Sequence, residues 1–181
     1  MTFKISNFLR NFSYKTNEIN RLLVSTFIYS NNIEVRNNNL IKELLLNGND
    51  ADVCSLSKLV IDTYQEFSIE LLIELFEFVI SPAEKEVNGA VYTPQYVREF
   101  IVQGCFDNFP LDDWRNLRIA DISCGCGGFF ISIAEYLKNK IDTTYYDIYN
   151  HLYGVDIEEY SIERTKILLT LYAIQNGEDI E

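Results

Sequence analysis

A short run of small residues follows a stretch that predicts a buried strand. Residues 121–130 read Asp-Ile-Ser-Cys-Gly-Cys-Gly-Gly-Phe-Phe, so an acid precedes a tight turn that opens a helix. Gly125, Gly127 and Gly128 carry no side chain to block a ligand, and amides at a helix start favour polar or anionic groups. The turn predicts a site where a ligand approaches the backbone. Taken alone, it also fits a ligand-free connection.

Two kinds of phosphate site use similar turns, and the sequence fits neither. A dinucleotide fingerprint needs a third glycine where Phe130 stands, and a phosphate loop needs Gly-Lys-Ser/Thr, which is absent. Asp156 ends the next predicted strand, and an acid there can accept hydrogen bonds from both ribose hydroxyls. Asp121 and Asp156 lie 35 residues apart, against the usual gap of about 20. The polar residues 142–150, for which we predict no element, account for the excess.

Several of these residues have more than one candidate role. Asp121 either contacts a ligand or accepts hydrogen bonds from the amides of its own turn. Asp156 can also cap the helix that follows it. Cys124 and Cys126 are one residue apart and lack the Cys-x-x-Cys spacing, which favours small turn residues over a metal site. His151 is the one histidine, and we expect it on the surface.

The second half of the chain predicts the scaffold that would position these residues. Apolar runs at 117–122 and 152–157 predict strands, and residues 129–137 and 161–175 predict helices, the pattern of parallel α/β units. Thr93 and Pro94 predict the cap and the first residue of a helix that continues to about residue 106.

The first 80 residues predict helices instead. Apolar residues recur at three- and four-residue spacing over 16–29, 38–46, 55–67 and from Ser68 to before Pro82. We therefore expect two domains, a helical N-terminal region over residues 1–80 and part of an α/β domain over 81–181.

The composition predicts a folded, acidic, cytoplasmic protein. Hydrophobic residues make up 48% of the chain, enough for a sizeable core. The net charge of −12 disfavours direct binding to a phosphate backbone. The chain starts without a charged and apolar leader, and the apolar residues 69–80 are interrupted by three glutamates, so we expect no membrane span.

Three segments occur in an order that resembles the amino-methyltransferases that act on adenine in DNA. They are Gly-Ala-Val-Tyr-Thr-Pro at 89–94, the turn at 121–129, and Gly-Val-Asp-Ile at 154–157. That family includes the modification subunits of type I restriction systems and fused restriction-methylation enzymes. The resemblance covers about residues 81–175. It implies a Rossmann-like, S-adenosylmethionine-dependent methyltransferase domain preceded by a helical domain.

The resemblance also implies a set of cofactor contacts. The methionine end of S-adenosylmethionine would lie against Tyr92, Thr93 and Pro94. At the nucleoside end, Asp156 would bind the ribose, and the adjacent Ile157 would also contact the cofactor. The turn would lie beneath the cofactor, with contacts from Asp121, Ser123, Cys124, Gly125 and Gly127. The family usually has Pro where Ile122 stands and Ser where Cys126 stands, so we expect weaker positioning at these two points.

One family motif is absent from the 181 residues. The methyl group is transferred at an Asn/Asp-Pro-Pro-Tyr/Phe loop that holds the flipped adenine, and none of the three prolines is followed by another. We therefore expect an N-terminal fragment of a longer enzyme, inactive alone and without a catalytic residue of its own. Contact with DNA and with specificity or restriction subunits would involve other parts of that enzyme. A truncated sheet would expose an edge and favour self-association.

Two other functions remain open on the sequence. The chain could serve as a non-catalytic interaction module with a vestigial cofactor pocket, which Ile122 and Cys126 favour slightly. Alternatively, the chain could belong to a methyltransferase that has a similar cofactor pocket but acts on protein or RNA. The Tyr-Thr-Pro segment argues against this second function.

Overall fold

The computed structural model describes residues 3–12, 16–79, 93–107 and 109–180, which form two compact units. The first unit comprises the described residues up to 79 together with Asp179 and Ile180. The second comprises residues 93–178.

The first unit is helical, as the sequence predicts. Its helices are α1 (Phe3–Arg10), α2 (Thr16–Ser30), α3 (Asn39–Leu44), α4 (Ala51–Tyr64) and α5 (Ile69–Phe78). Side chains of Asn38, Asp50 and Ser68 accept amide hydrogen bonds at the starts of α3, α4 and α5. Because Asp50 supplies this cap, α4 starts at Ala51, four residues before the predicted start. Helix α2 lies at the centre of the unit and packs against α3, α4 and α5.

After the second unit, the chain returns to the first through a hydrogen-bonded carboxylate. The side chain of Asp179 accepts the backbone N–H groups of Arg36, Asn37 and Asn38, the last two at 2.9 and 3.0 Å. The side-chain amides of Asn37 and Asn38 donate in turn to the carbonyls of Asp179 and Ile180, at 2.9 and 2.8 Å. The segment before α3 thus has its backbone donors satisfied by residues more than 140 positions away.

We expect Asp179→Ala to lower the free energy of unfolding of the first unit by about 1 kcal/mol, since the carboxylate is largely solvated. Partial burial alone would raise the pKa of Asp179, but the three backbone donors outweigh it and hold the pKa below its ordinary value. A carboxylate of lowered pKa stabilises the fold above about pH 4 and loses that contribution as the pH falls through its folded pKa. Urea unfolding at pH 7 and pH 3 measures both effects.

The matched control is Asp62→Ala, which removes an exposed carboxylate near the end of α4. It should leave stability at pH 7 almost unchanged. Equal effects of the two substitutions, or a difference that persists at pH 3, would contradict the role given to Asp179.

The second unit contains a small parallel sheet with helices around it. Its elements are α6 (Gln95–Phe106), a 3-10 helix (Leu111–Asn116), β1 (Ile119–Asp121), α7 (Gly128–Lys140), α8 (Tyr145–Tyr149), β2 (Leu152–Gly154) and α9 (Glu159–Gln175). Strands β1 and β2 are parallel, with Ile119 opposite Leu152 and Asp121 opposite Gly154. Both strands were predicted, although each is shorter than the apolar run that indicated it. This mixed architecture is compatible with part of an α/β methyltransferase domain.

Helix α8 occupies residues for which the sequence predicts no element. Thr144 caps it by accepting the amide of Asp147, and Tyr145 and Ile148 are buried against the core that contains Trp114 and Phe130. The tyrosine-rich segment is therefore a packed part of the unit.

The predicted start of α6 is wrong by one residue. Pro94 has φ −55° and ψ 146°, which is extended, so it occupies the cap position and Gln95 is the first helical residue. The carbonyl of Pro94 accepts the amides of Val97 and Arg98, and the start of α6 has no side-chain cap. Thr93 therefore does not cap the helix. Its carbonyl instead accepts a hydrogen bond from the guanidinium of Arg98.

One edge of β1 is paired and the other faces a groove. The backbone N–H of Ile119 donates to the carbonyl of His151, and the carbonyl of Asp121 accepts the N–H of Val155. Both bonds point toward β2. The backbone groups of Ala120 therefore point to the opposite edge, because bonding alternates along a parallel strand. In the described residues, β2 is the one strand paired with β1. The groove has a volume of about 460 Å³, and its apolar lining includes Ile101, Cys105, Ile122, Phe129 and Ile133.

None of the helices in the described part of the chain is long and apolar enough to cross a membrane.

Candidate functional site

The carboxyl ends of β1 and β2 bring together the two acidic motifs. Asp156 follows β2, and one of its carboxylate oxygens accepts the amide of Gly125, in the turn after β1, at 2.9 Å. The other oxygen accepts the amide of Glu158 at 2.9 Å. Two residues separated by 31 positions are thus joined directly, and the acid lies beside the glycine turn as the sequence predicts.

The turn after β1 is held by its own backbone and by α9. Asp121 accepts the amide of Ser123 at 3.0 Å, so it shapes the turn, which is one of its two candidate roles. The carbonyl of Cys124 accepts the amide of Gly127 at 2.8 Å. From α9, the hydroxyl of Thr165 donates to the carbonyl of Gly125 at 2.8 Å. These bonds fix the turn in one conformation before any ligand is present.

Helix α7 begins directly at this turn. Its cap residue, Gly127, has φ +82°, and no side chain caps the helix. The positive end of the helix dipole and the first amides of the helix are therefore directed toward the strand ends, where they favour a negatively charged group.

Apolar side chains surround the strand ends. Ile122 and Ile157 are 83% and 89% exposed, and Val155 is 59% exposed. Each follows directly on a β-strand or on Asp156. These exposed aliphatic side chains form an apolar surface beside the carboxylate of Asp156.

The remaining predicted site residues lie in different environments. Thr93 is half-buried and Pro94 exposed, while Tyr92 lies outside the described residues. Ser123 is exposed at the turn. Cys124 is buried, its amide donates to the carbonyl of Val155 and its carbonyl accepts from Gly127, so its backbone holds the turn in place.

Sequence reasoning missed Arg98, which is 2% exposed. Its guanidinium donates to the carbonyl of Thr93 at 2.7 Å and to the hydroxyl of Ser132, on α7, at 3.3 Å. An arginine in register with the buried Val102 and Phe106 of α6 was the available signal, because a charge on the apolar face of a helix needs internal partners.

The family to which the chain belongs follows from its similarity to known protein families. The model of one protein family, described as N-6 DNA methylase, matches residues 68–180, more than half of the chain. The chain belongs to the N-6 DNA methylase family. Among curated proteins and among solved structures, none matches it.

The match confirms the resemblance to adenine-specific DNA methyltransferases. It starts at Ser68, the cap of α5, and includes both strands, the glycine turn and Asp156. Every described residue of the candidate site thus lies inside the matched segment.

The buried cysteine of the turn is unsuited to nucleophilic chemistry. Burial raises the pKa of the Cys124 thiol more than the hydrogen bond with Thr165 lowers it, and the nearby Asp156 and Asp121 carboxylates raise it further. A thiol reacts as its thiolate, so Cys124 stays unreactive at neutral pH. In the described residues, no group of three or more His, Cys, Asp or Glu side chains could hold a metal ion.

This difference in burial gives a prediction about thiol labelling. Cys54 and Cys105 are exposed, whereas Cys124 and Cys126 are buried. With a disulfide reagent at pH 7, we expect two thiols of the native protein to react fast and two slowly. Mass spectrometry of the labelled peptides assigns them. Comparable rates at all four cysteines would contradict the packing of the turn.

Proposed function

We propose that this chain holds S-adenosylmethionine at the carboxyl ends of β1 and β2, as the cofactor-binding part of an adenine N-6 DNA methyltransferase. In this proposal the second unit is the first part of a Rossmann-like domain. The observation that carries it is the 2.9 Å hydrogen bond between Asp156 and the amide of Gly125. This bond supports the proposal, because the acid that would bind the ribose lies directly beside the turn that the cofactor would approach.

Asp156 retains the capacity to bind a ribose. Each of its carboxylate oxygens accepts one backbone amide, and a carboxylate oxygen has about two acceptor positions. Both oxygens can therefore accept a ribose hydroxyl as well. Ile157, Ile122 and Val155 would then pack against the adenine ring.

The other end of the cofactor would lie over the glycine turn. Gly125 lets the cofactor approach the backbone of the turn, the buried Gly127 leads the chain into α7, and the start of α7 would face the carboxylate of the methionine end. Thr93 and Pro94 would line the same end, as the family resemblance implies. Cofactor binding would thus use residues from the turn, from the segment after β2 and from the segment before α6.

S-adenosylmethionine, when bound, supplies a methyl group that is activated by the positive sulfur. The residues of this chain bind and orient it. The printed sequence lacks an Asn/Asp-Pro-Pro-Tyr/Phe loop, so the adenine amino group would be held by residues outside these 181. In this proposal, the acidic chain leaves contact with DNA to other parts of the enzyme, and the system it serves is restriction-modification or a related defence, in the cytoplasm.

Calorimetric titration with S-adenosylhomocysteine, S-adenosylmethionine and ATP tests the proposal. We expect saturable binding of the first two in the micromolar to millimolar range and no heat with ATP, because the turn lacks a phosphate-binding lysine. Folded protein that binds neither sulfur ligand, or that binds ATP equally well, would refute the cofactor site.

The groove beside β1 favours a second candidate function, an interaction module with a vestigial pocket. Its apolar lining lies next to the edge of β1 at Ala120, with which no strand of the described residues pairs, and such edges can pair with another chain. Sedimentation velocity over a range of concentrations, with Ile101→Lys as the variant, measures this association. Association that Ile101→Lys abolishes, in protein that does not bind S-adenosylhomocysteine, would favour this second function.

A further inference from the structure

The second unit buries the guanidinium of Arg98 directly against the start of α7, where the glycine turn ends. Arg98 is the largest of its fully buried side chains. A methyl group added to Gly128, the first residue of α7, would lie 3.2 Å from the guanidinium of Arg98. The guanidinium therefore packs against the backbone at the start of α7 and occupies the space that any other residue at position 128 would need.

The bonds of Arg98 join two segments of the proposed site. Its Nη1 donates to the carbonyl of Thr93 at 2.7 Å, and its Nε donates to Ser132, one turn inside α7, at 3.3 Å. The carbonyl of Pro94 already accepts the first amides of α6. The guanidinium thus bonds to Thr93, just before α6, and links Thr93 to α7.

A packing role alone is a poor explanation for this arrangement. Burying a guanidinium costs desolvation energy, and a well-packed apolar residue in its place is often neutral or stabilising. A methionine could fill much of the same space. What an apolar side chain cannot supply is a fixed pair of donors, one for Thr93 and one for α7.

We propose that Arg98 is a positioning residue that holds Thr93 and Pro94 against the start of α7 and so sets the affinity for the amino-acid end of the cofactor. The inference rests on the proposed function. Arg98 does not touch the cofactor. Its effect on binding passes through the Thr93 carbonyl, and it is confined to the part of the ligand that these two residues would line.

Two ligands that differ in the amino-acid end separate this role from a structural one. S-adenosylhomocysteine has the nucleoside and the amino acid, whereas 5′-methylthioadenosine has the nucleoside alone. In Arg98→Met, we expect S-adenosylhomocysteine to bind about tenfold more weakly, because the ligand must then order the backbone at Thr93 and Pro94 itself, and methylthioadenosine to change by less than about threefold.

Two further variants complete the calorimetric test. Arg98→Lys keeps one cationic donor for the Thr93 carbonyl, so it should restore most of the lost affinity for S-adenosylhomocysteine. Arg115→Met removes an arginine whose side chain is 61% exposed, and it should change neither affinity. Equal losses for the two ligands in Arg98→Met, or no loss for either, would overturn the positioning role. Wild-type protein that binds neither ligand would instead refute the cofactor site itself.

A measurement on the wild-type protein applies if Arg98→Met does not fold. The Nε–H resonance of Arg98 should be protected from solvent exchange in proton–nitrogen spectra, since this group is buried and donates to Ser132. We expect it to shift when S-adenosylhomocysteine is added and to stay in place with methylthioadenosine. A resonance that moves equally with both ligands, or with neither while both bind, would overturn the inference.

Discussion

Replacing Gly127 with alanine is expected to lower the free energy of unfolding of the second unit by about 2 to 4 kcal/mol. Gly127 has φ +82°, and a Cβ there would lie 2.9 Å from Cγ2 of Thr165. Thr165 is buried, and its hydroxyl donates to the carbonyl of Gly125. It cannot turn away without losing that bond, so both the strain and the overlap remain. Chemical denaturation measures the change.

Gly104→Ala provides the matched control, because an added Cβ there has no atom within 4 Å. Gly104 lies inside α6, where alanine should stabilise the helix by about 0.5 to 1 kcal/mol. The two substitutions are chemically identical and should act in opposite directions. If Gly127→Ala were neutral or stabilising, the close contact between the turn and α9 would be wrong.

Removing the carboxylate of Asp156 is expected to produce the largest loss of cofactor affinity. Asp156→Ala should weaken S-adenosylhomocysteine binding by about 10- to 100-fold, since charged hydrogen bonds to the ribose hydroxyls are lost. The substitution also leaves the amides of Gly125 and Glu158 without their acceptor. We therefore expect a loss of stability of about 1 to 3 kcal/mol as well. Calorimetry and denaturation separate the two effects.

Two variants show which effect dominates. Asp156→Asn retains one carbonyl acceptor for a turn amide, so it should recover stability more than affinity. Asp142→Ala removes an exposed acid from the loop after α7 and should change neither. Unchanged ligand affinity in a folded Asp156→Ala protein would show that Asp156 only shapes the turn.

The local parts of the fold could be predicted because short-range chemistry determines them. Ser68 was predicted to start a helix, and its side chain caps α5. The turn after β1 was predicted from its glycines and from the acid before it. In these places neighbouring residues decide the conformation.

The parts that were missed depend on contacts between distant residues. Asp179 bonds to the backbone at Asn37 and Asn38, and no local pattern in either segment indicates it. Thr93 was predicted as a cap from residue type alone, whereas the extended conformation of Pro94 and the guanidinium of Arg98 give its carbonyl another role. Helix α8 was missed because its buried face consists largely of tyrosines, which also suit surfaces and turns.

Proton–nitrogen correlation spectra recorded with S-adenosylhomocysteine test the central claim most directly. The account predicts that the largest shifts fall on the amides of Thr93, Gly125, Gly127, Asp156 and Ile157, while amides in α2 and α4 stay in place. Saturating ligand that shifts none of these site amides, or that shifts another surface instead, would contradict a cofactor site at the ends of β1 and β2.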